Sequence, residues 1–559
     1  METLLLLAVA FGPLAFGAVE PWSLAILEAL ILSMLTLAIL GGPAGEARPA
    51  RNPVLWAVVL IAFFGLLQCL NPRPMTGPGS ILPFTAAAHR TGQAVLLWSS
   101  YAALLWCAAQ ALNGRPALRR LAWVIFLMGA VVAVIGIMQG GQGNNAYYGL
   151  RPVRRGEPFG PYTNRDHAAS LMAMSLFAGL GIFFGRFERM LRERAISRRA
   201  ELSVVLILTA FLLAVIGFGI SKTHSRGAII SCVAAAWAVC LLSTSLIGLA
   251  RGRLAARAGL VCAAAGCALF VFFHPHWIGF VFSTPDSSAA YRLSMYRSGL
   301  QIVRDFPLFG VGLGAAQSIF PAYQEGVVQG LVEHVHSDWL ELAVVSGVVG
   351  VVLYAGALLL FLRRMMRLWL SCLSRELFCL SAGALTAVVA FFLHGFVDFS
   401  FQIPANAVVF LALLCLLEGS LRFARKPEAD VPEQAPLPRP LSVRRAALAL
   451  LPLGLMALAL RPAVASWYRF SAEEDSPASG QAALLAKASA WKADPEFQCR
   501  SAQALFAQAE TCAPQRRTVL LREALAHARG AQEAEPYNPG FRQMTGAILS
   551  RLGRPGDGS

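Results

Sequence analysis

The chain has 559 residues, of which 14% are charged and 57% hydrophobic, and its mean hydropathy is +0.59. Soluble globular proteins carry roughly 25% charged and 45–50% apolar residues, so a cytosolic globular protein is excluded and a multi-span membrane protein is indicated. The formal net charge of +16 then reads as topology and not as nucleic-acid binding, because membrane proteins collect Lys and Arg in short cytoplasmic loops.

Runs long and apolar enough to span a bilayer occur near 4–19, 22–40, 54–70, 94–112, 121–138, 168–185, 202–220, 227–249, 258–273, 339–362, 377–394, 404–421 and 446–466. The expected fold is all-α: a polytopic helical membrane protein of about 12–13 spans, with a large periplasmic loop and a small C-terminal helical domain. The first run follows Met1, Glu2 and Thr3 without a basic stretch, so it reads as a retained span and not as a cleaved signal peptide. With the N-terminus cytoplasmic, inward loops hold 24 Lys and Arg, including six between Arg186 and Arg199, against 11 in the outward loops before the tail. The positive-inside rule favours that orientation. All nine histidines, His89, His167, His224, His274, His276, His334, His336, His394 and His527, then fall at or beyond the outer face.

The domains expected are a membrane region 1–421 with its outer loop at 274–338, a Pro-rich cytoplasmic linker 422–445, a last span 446–466 and an outer helical domain 467–559. Nine of the eleven cysteines sit in spans or inward segments, where a free Cys is a small apolar residue. Cys499 and Cys512 lie in the tail, where an oxidising compartment permits a disulfide, and they are expected to pair.

Ionisable residues at outer span ends carry the functional signal, because burying charge there is costly. Arg226 stands in SKTHSRGA, Arg292 and Arg297 in YRLSMYRSGL, His336 and Asp338 in EHVHSDWLEL, His167 in FGPYTNRDH and Asp398 in HGFVDFSFQIPAN. A metal reading of His334, His336 and Asp338 fails on sequence: Trp339 stands where the metallo-β-lactamase signature needs a second His, so no metal and no cofactor is expected. A Walker A loop and a Gly-x-Ser-x-Gly elbow are also absent from the sequence. A neutral histidine can instead take a proton from an attacking hydroxyl, while guanidinium groups hold a diphosphate bidentately as it leaves.

At this point FGPYTNRDHAASLM (159–172), HSRGAIIS (224–231), YRLSMYRSGLQIVRDFPLFGVGLG (291–314), HVHSDWLELAVVSGVVGVVLY (334–354) and VDFSFQIPAN (397–406) become informative together. In order and separation, over roughly 150–420, the chain resembles the O-antigen ligase family, which includes O-antigen and exopolysaccharide polymerases. The resemblance implies a helical membrane fold of about twelve spans whose large periplasmic loop caps a cavity. By motif, His336 resembles the family's catalytic histidine, with Asp338 beside it, and Arg226 and Arg292 resemble its diphosphate-binding arginines. Arg292 is preferred to Arg297 because an aromatic follows it by four residues, and Arg297, His167 and Asp398 complete the expected substrate-binding set. Ser337 departs from the Asn of many members. The tail is similar to tetratricopeptide helices.

What the resemblance implies is a metal-independent glycosyltransferase of the bacterial inner membrane, with its active site facing the periplasm. Its partners would be an undecaprenyl-diphosphate-linked glycan donor, a glycan or lipid A core acceptor, membrane lipids, and chain-length or export proteins. The acceptor decides between ligase and polymerase, and both stay open. A small-solute or anion transporter of the same family is the rival; it predicts broken spans, whereas the runs here read as mostly uninterrupted.

Overall fold

The computed structural model describes residues 1–41, 52–73, 82–141, 146–148, 151–152, 157–246, 287–324, 332–370, 372, 374–424, 442–474, 478–492 and 494–553. The expected span at 258–273, with Cys262, Cys267, His274 and His276, lies outside the described residues, as do the start of the 274–338 loop and most of the 422–445 linker.

The chain is a helical, multi-pass membrane protein. In chain order its helices are α1 (Glu2–Leu14), α2 (Pro21–Gly41), α3 (Pro53–Cys69), α4 (Ala88–Ala111), α5 (Arg115–Gly141), α6 (Arg165–Arg192), α7 (Ile196–Lys222), α8 (Arg226–Leu246) and α9 (Ser287–Asp305). They continue with α10 (Ala316–Ile319), α11 (Asp338–Leu370), α12 (Arg375–His394), α13 (Pro404–Phe423), α14 (Val443–Glu474), α15 (Ala478–Trp491), α16 (Pro495–Glu510), α17 (Pro514–Ala534) and α18 (Pro539–Leu552). Two-residue strands β1 (Ala146–Tyr147) and β2 (Arg151–Pro152) pair antiparallel. Among the described residues nine helices are long and apolar enough to cross a membrane, and three shorter apolar ones, α1, α3 and α8, fall on the expected runs at 4–19, 54–70 and 227–249.

The chain divides into two compact units. The first comprises Met1–Trp56, Ser100–Ser287 and Ala355–Leu453. Within it α6 and α12 pack through small residues: a Cβ on Gly383 would meet Phe177 O at 2.4 Å and Gly181 Cα at 2.9 Å. Such contacts let helix backbones approach where lipid supplies no hydrophobic drive. Helix α13 is buried almost all round, as its apolar stretch from Ala407 to Leu417 requires.

The second unit comprises Ala57–Ser99, Ser288–Tyr354 and Gly454–Ser559. Its core gathers Phe84, Met295, Ile302, Val311, Phe320 and Val335. The run expected at 339–362 carries a break: helix α11 is interrupted at Gly347, which has φ 61° and ψ −163°. The segment 307–312 fills the gap. Val348 and Val349 N–H donate to the carbonyls of Pro307 (2.8 Å) and Leu308 (3.3 Å), while Val311 and Gly312 N–H donate to those of Val344 (2.9 Å) and Val345 (3.1 Å). The Gln68 amide bridges both sides, donating to Phe309 O at 2.9 Å and Val345 O at 3.2 Å and accepting Leu313 N–H at 3.0 Å. Irregular backbone within a membrane span is tolerated only where protein satisfies it. The glycines of FPLFGVGLG follow from this: Gly310, Gly312 and Gly314 all have positive φ, and a Cβ on Gly310 would lie 2.5 Å from Ser346 N and Val344 O.

In the tail Pro495, Pro514 and Pro539 open α16, α17 and α18, the position where a missing N–H costs least. The expected Cys499–Cys512 disulfide is not formed; both thiols are free. Cys499 packs with Ala531 and Phe541, and Cys512 against a separate cluster around Leu505 and Leu520. Because α16 continues to Glu510, its rise alone separates Cys499 from the helix end by roughly 16 Å, well beyond disulfide reach.

Candidate active site

His336 occupies the left-handed region, with φ 56°, one residue before α11 is capped. Ser337 is that cap, its Oγ accepting from Leu340 N–H at 3.4 Å, and Asp338 is the first helical residue. An imidazole held in so sparsely populated a backbone state signals a constraint imposed by its surroundings. Two of those surroundings are visible. Tyr296 of α9 donates its hydroxyl to the His336 carbonyl at 3.0 Å, and the Tyr291 ring meets the imidazole edge to face, with centroids 6.4 Å apart.

The approach of α9 depends on Gly299, where a Cβ would sit 2.9 Å from Val335 and 3.0 Å from Leu340. The same helix carries both candidate arginines: Arg292, half-buried and one turn before Tyr296, and Arg297, exposed. Residues four apart share a helix face, so Arg292 lies on the face of Tyr296.

Glu341 shapes the loop from below. Buried at 3% exposure, its carboxylate accepts Val335 N–H at 2.7 Å and lies 3.1 Å from His334 Nδ1. Burial alone would lower the proton affinity of His334; the Glu341 charge and hydrogen bond, with Glu333, outweigh both that and the opposing Arg90, so the imidazole is held above its ordinary value.

A second polar cluster belongs to the first unit. His224 repeats the geometry of His336: φ is 53°, Ser225 accepts from Ala228 N–H at 3.4 Å, and Arg226 opens the helix. Gly227 brings α8 against the end of α12, since a Cβ there would meet Val397 at 2.7 Å and His394 at 3.0 Å. His394 Nδ1 lies 2.5 Å from Ser170 Oγ, which lies 2.7 Å from Ser400 Oγ, and Ser400 donates to Asp398. His167 Nε2 stands 3.5 Å from Asp398 Oδ1 and packs edge-on against Phe399 at 4.6 Å. Asn406 accepts the Tyr162 hydroxyl at 2.9 Å and donates to the His167 carbonyl at 3.0 Å. Asp398 is fully buried. Burial would raise its pKa, but His167, His394 and Ser400 prevail and hold the carboxyl well below the usual range.

Of the seven candidate residues, His336, Asp338, Arg292 and Arg297 therefore belong to one unit, and Arg226, His167 and Asp398 to the other. His167 and Asp398 are brought into direct contact, and the helix of Arg292 is joined to His336 through Tyr291 and Tyr296. Among the described residues no three His, Cys, Asp or Glu side chains are grouped as metal ligands. Tyr296, Ser170, His394 and Gln68 were missed as site builders. Gln68 carried a readable signal, a lone amide at the end of an apolar run; the others became visible only when distant helices met.

Residues 208–355 match the O-antigen ligase family. The match bears out the resemblance drawn from the motifs, and it contains Arg226, Arg292, Arg297, His336 and Asp338 while leaving His167 and Asp398 outside. No curated protein matches the chain.

Proposed function

We propose that this membrane protein, which carries an O-antigen ligase region over residues 208–355, transfers a glycan from an undecaprenyl-diphosphate donor to a sugar hydroxyl at the periplasmic face of the inner membrane. The observation that carries the reading is the presentation of His336: a residue at a helix start whose backbone carbonyl accepts the Tyr296 hydroxyl, beside a helix bearing Arg292. In the reaction the acceptor oxygen attacks the anomeric carbon, and the bond from that carbon to the diphosphate oxygen breaks, the electron pair leaving with the diphosphate. The acceptor proton passes to His336 as general base. Arg292 holds the departing diphosphate, whose charge suits a guanidinium fork better than an ammonium, and Arg226 is a further diphosphate-binding residue by its motif. Asp338, at the first turn of α11, orients the loop, and Arg297, His167 and Asp398 contribute to substrate binding.

The transporter reading loses its structural argument at the break in α11. Transport sites are built where unwound carbonyls are free to bind ions, whereas the Val344 and Val345 carbonyls exposed by the break are taken by Val311 and Gly312 N–H.

The acceptor is read from the glycans of a deletion strain. Single repeats retained on the acceptor with long chains lost means polymerase; long lipid-linked chains accumulating means ligase. An unaltered glycan profile refutes both.

A further inference from the structure

The turn between α17 and α18 carries a buried charge that the transfer reaction does not use. Glu535 is 1% exposed, and its Oε1 accepts from Arg90 Nε at 2.9 Å and Ser318 Oγ at 3.0 Å, with His89 Nε2 at 3.3 Å. Arg90 Nη1 in turn donates to Gln317 Oε1 at 2.8 Å. Tyr537, two residues on, packs against the core that contains Phe320 and Val335. Burial of Glu535 works against its charge, but the bonds from His89 and Arg90 win and hold it at about 2. A carboxylate this enclosed survives only because donors satisfy it.

What Glu535 grips is the chain just beyond the glycine segment. Gln317 and Ser318 lie in α10, three and four residues past Gly314, and a Cβ on Gly314 would sit 3.3 Å from the Arg90 carbonyl. The segment 307–312 is hydrogen-bonded into the break of α11, and α11 begins two residues after His336. A continuous run of bonds therefore leads from the tail to the His336 loop, all of it inside one compact unit.

We infer that Glu535 is a positioning residue for the His336 loop, and that the C-terminal helices are fixed in place on the glycine segment through the Glu535 clamp on Ser318 and Arg90. The tail is then a working part of the site, and chains lacking it would hold His336 loosely.

The test uses the full-length protein in detergent and compares the native chain with Glu535→Gln, Glu535→Ala and Ser318→Ala by amide hydrogen exchange. Faster exchange confined to 310–323 and 332–340 is expected, greatest for Glu535→Ala. Where Glu535→Ala does not accumulate, Ser318→Ala removes one bond without exposing a charge and reports on the same peptides. Unchanged exchange at 310–323, or a rise spread evenly over all helices, overturns the inference. The kinetic arm rests on the transferase reading: turnover of lipid-linked glycan by Glu535→Gln should fall about tenfold, equivalent to about 1.4 kcal/mol in the barrier, with KM nearly unchanged. An unchanged turnover together with loosened 310–323 overturns the link to His336. Absence of transfer by the native chain with the exchange pattern intact refutes the transferase reading alone.

Discussion

The Tyr296 hydroxyl is 3.0 Å from the carbonyl oxygen of His336, so the helix that carries Arg292 also sets the backbone of the proposed base. Removing that bond with Tyr296→Phe should cost about 0.5–1.5 kcal/mol and lower transfer by up to roughly tenfold. His336→Ala should lose about 10² to 10⁴ in rate while the protein still reaches the membrane. Initial rates with purified protein and lipid-linked glycan check both. Equal losses in the two variants would remove the distinction between holding the imidazole and being it.

Glu341 makes stability depend on pH through His334. An imidazole whose folded proton affinity is raised contributes stability that is complete below its ordinary value of about 6.5 and fades as pH rises through the folded value. Glu341→Gln keeps an acceptor for Val335 N–H but removes the charge. The gap in melting temperature between native and variant should therefore be widest below about pH 6.5 and should shrink above it. A gap constant with pH would show that the carboxylate acts only as an acceptor.

Gly310 and Gly347 should tolerate no side chain. At Gly310 a Cβ would lie 2.5 Å from Ser346 N, and at Gly347 2.4 Å from Leu308 C, both at positive φ. Overpacking and a left-handed residue together cost about 2–5 kcal/mol, so Gly310→Ala and Gly347→Ala should lower the melting temperature sharply. Gly356 lies in the same helix with nothing within 4 Å of its would-be Cβ. Gly356→Ala should be neutral or stabilising by up to about 1 kcal/mol, and a loss there as large as at Gly347 would refute the packing argument.

Asp398→Asn should be destabilising in the first unit. The carboxylate is fully buried between His167 and Ser400, and leaving buried partners of a charged acceptor unsatisfied costs about 1–3 kcal/mol. Its lowered pKa contributes stability that is present above the ordinary carboxylate value of about 3.9 and is lost as pH falls toward the folded value, so the penalty of the variant should be fully present at neutral pH. A melting temperature unchanged at pH 7 would show the pair to be weak.

Much of this architecture was legible beforehand because apolar runs of membrane length have few other uses. The runs at 168–185, 377–394 and 404–421 are helices α6, α12 and α13, and the motifs at 224–231, 291–314 and 334–354 already pointed to the family that residues 208–355 match. What could not be read was anything depending on two distant segments meeting. A glycine in an apolar run looks alike whether it sits in a straight helix, as Gly356 does, or opens a break, as Gly347 does; the difference lies at Leu308. The disulfide expectation failed for a related reason: Cys499 and Cys512 are near in sequence, but a helix that continues past the first thiol holds them apart. The site split the same way. His336 stood out by motif, whereas Tyr296 becomes informative only once Gly299 lets α9 lie against Val335.

The filled break in α11 also constrains how the protein is made. Until residues 307–312 and Gln68 are in place, four backbone groups of this span have no partner, and each would cost several kcal/mol in hydrocarbon. Both partners precede Val344 in the chain, so they leave the ribosome first. The span can therefore be closed as it is synthesised, with the receiving surface already built, whereas a rearranged chain that presented α11 ahead of α3 would have to insert an open helix and wait.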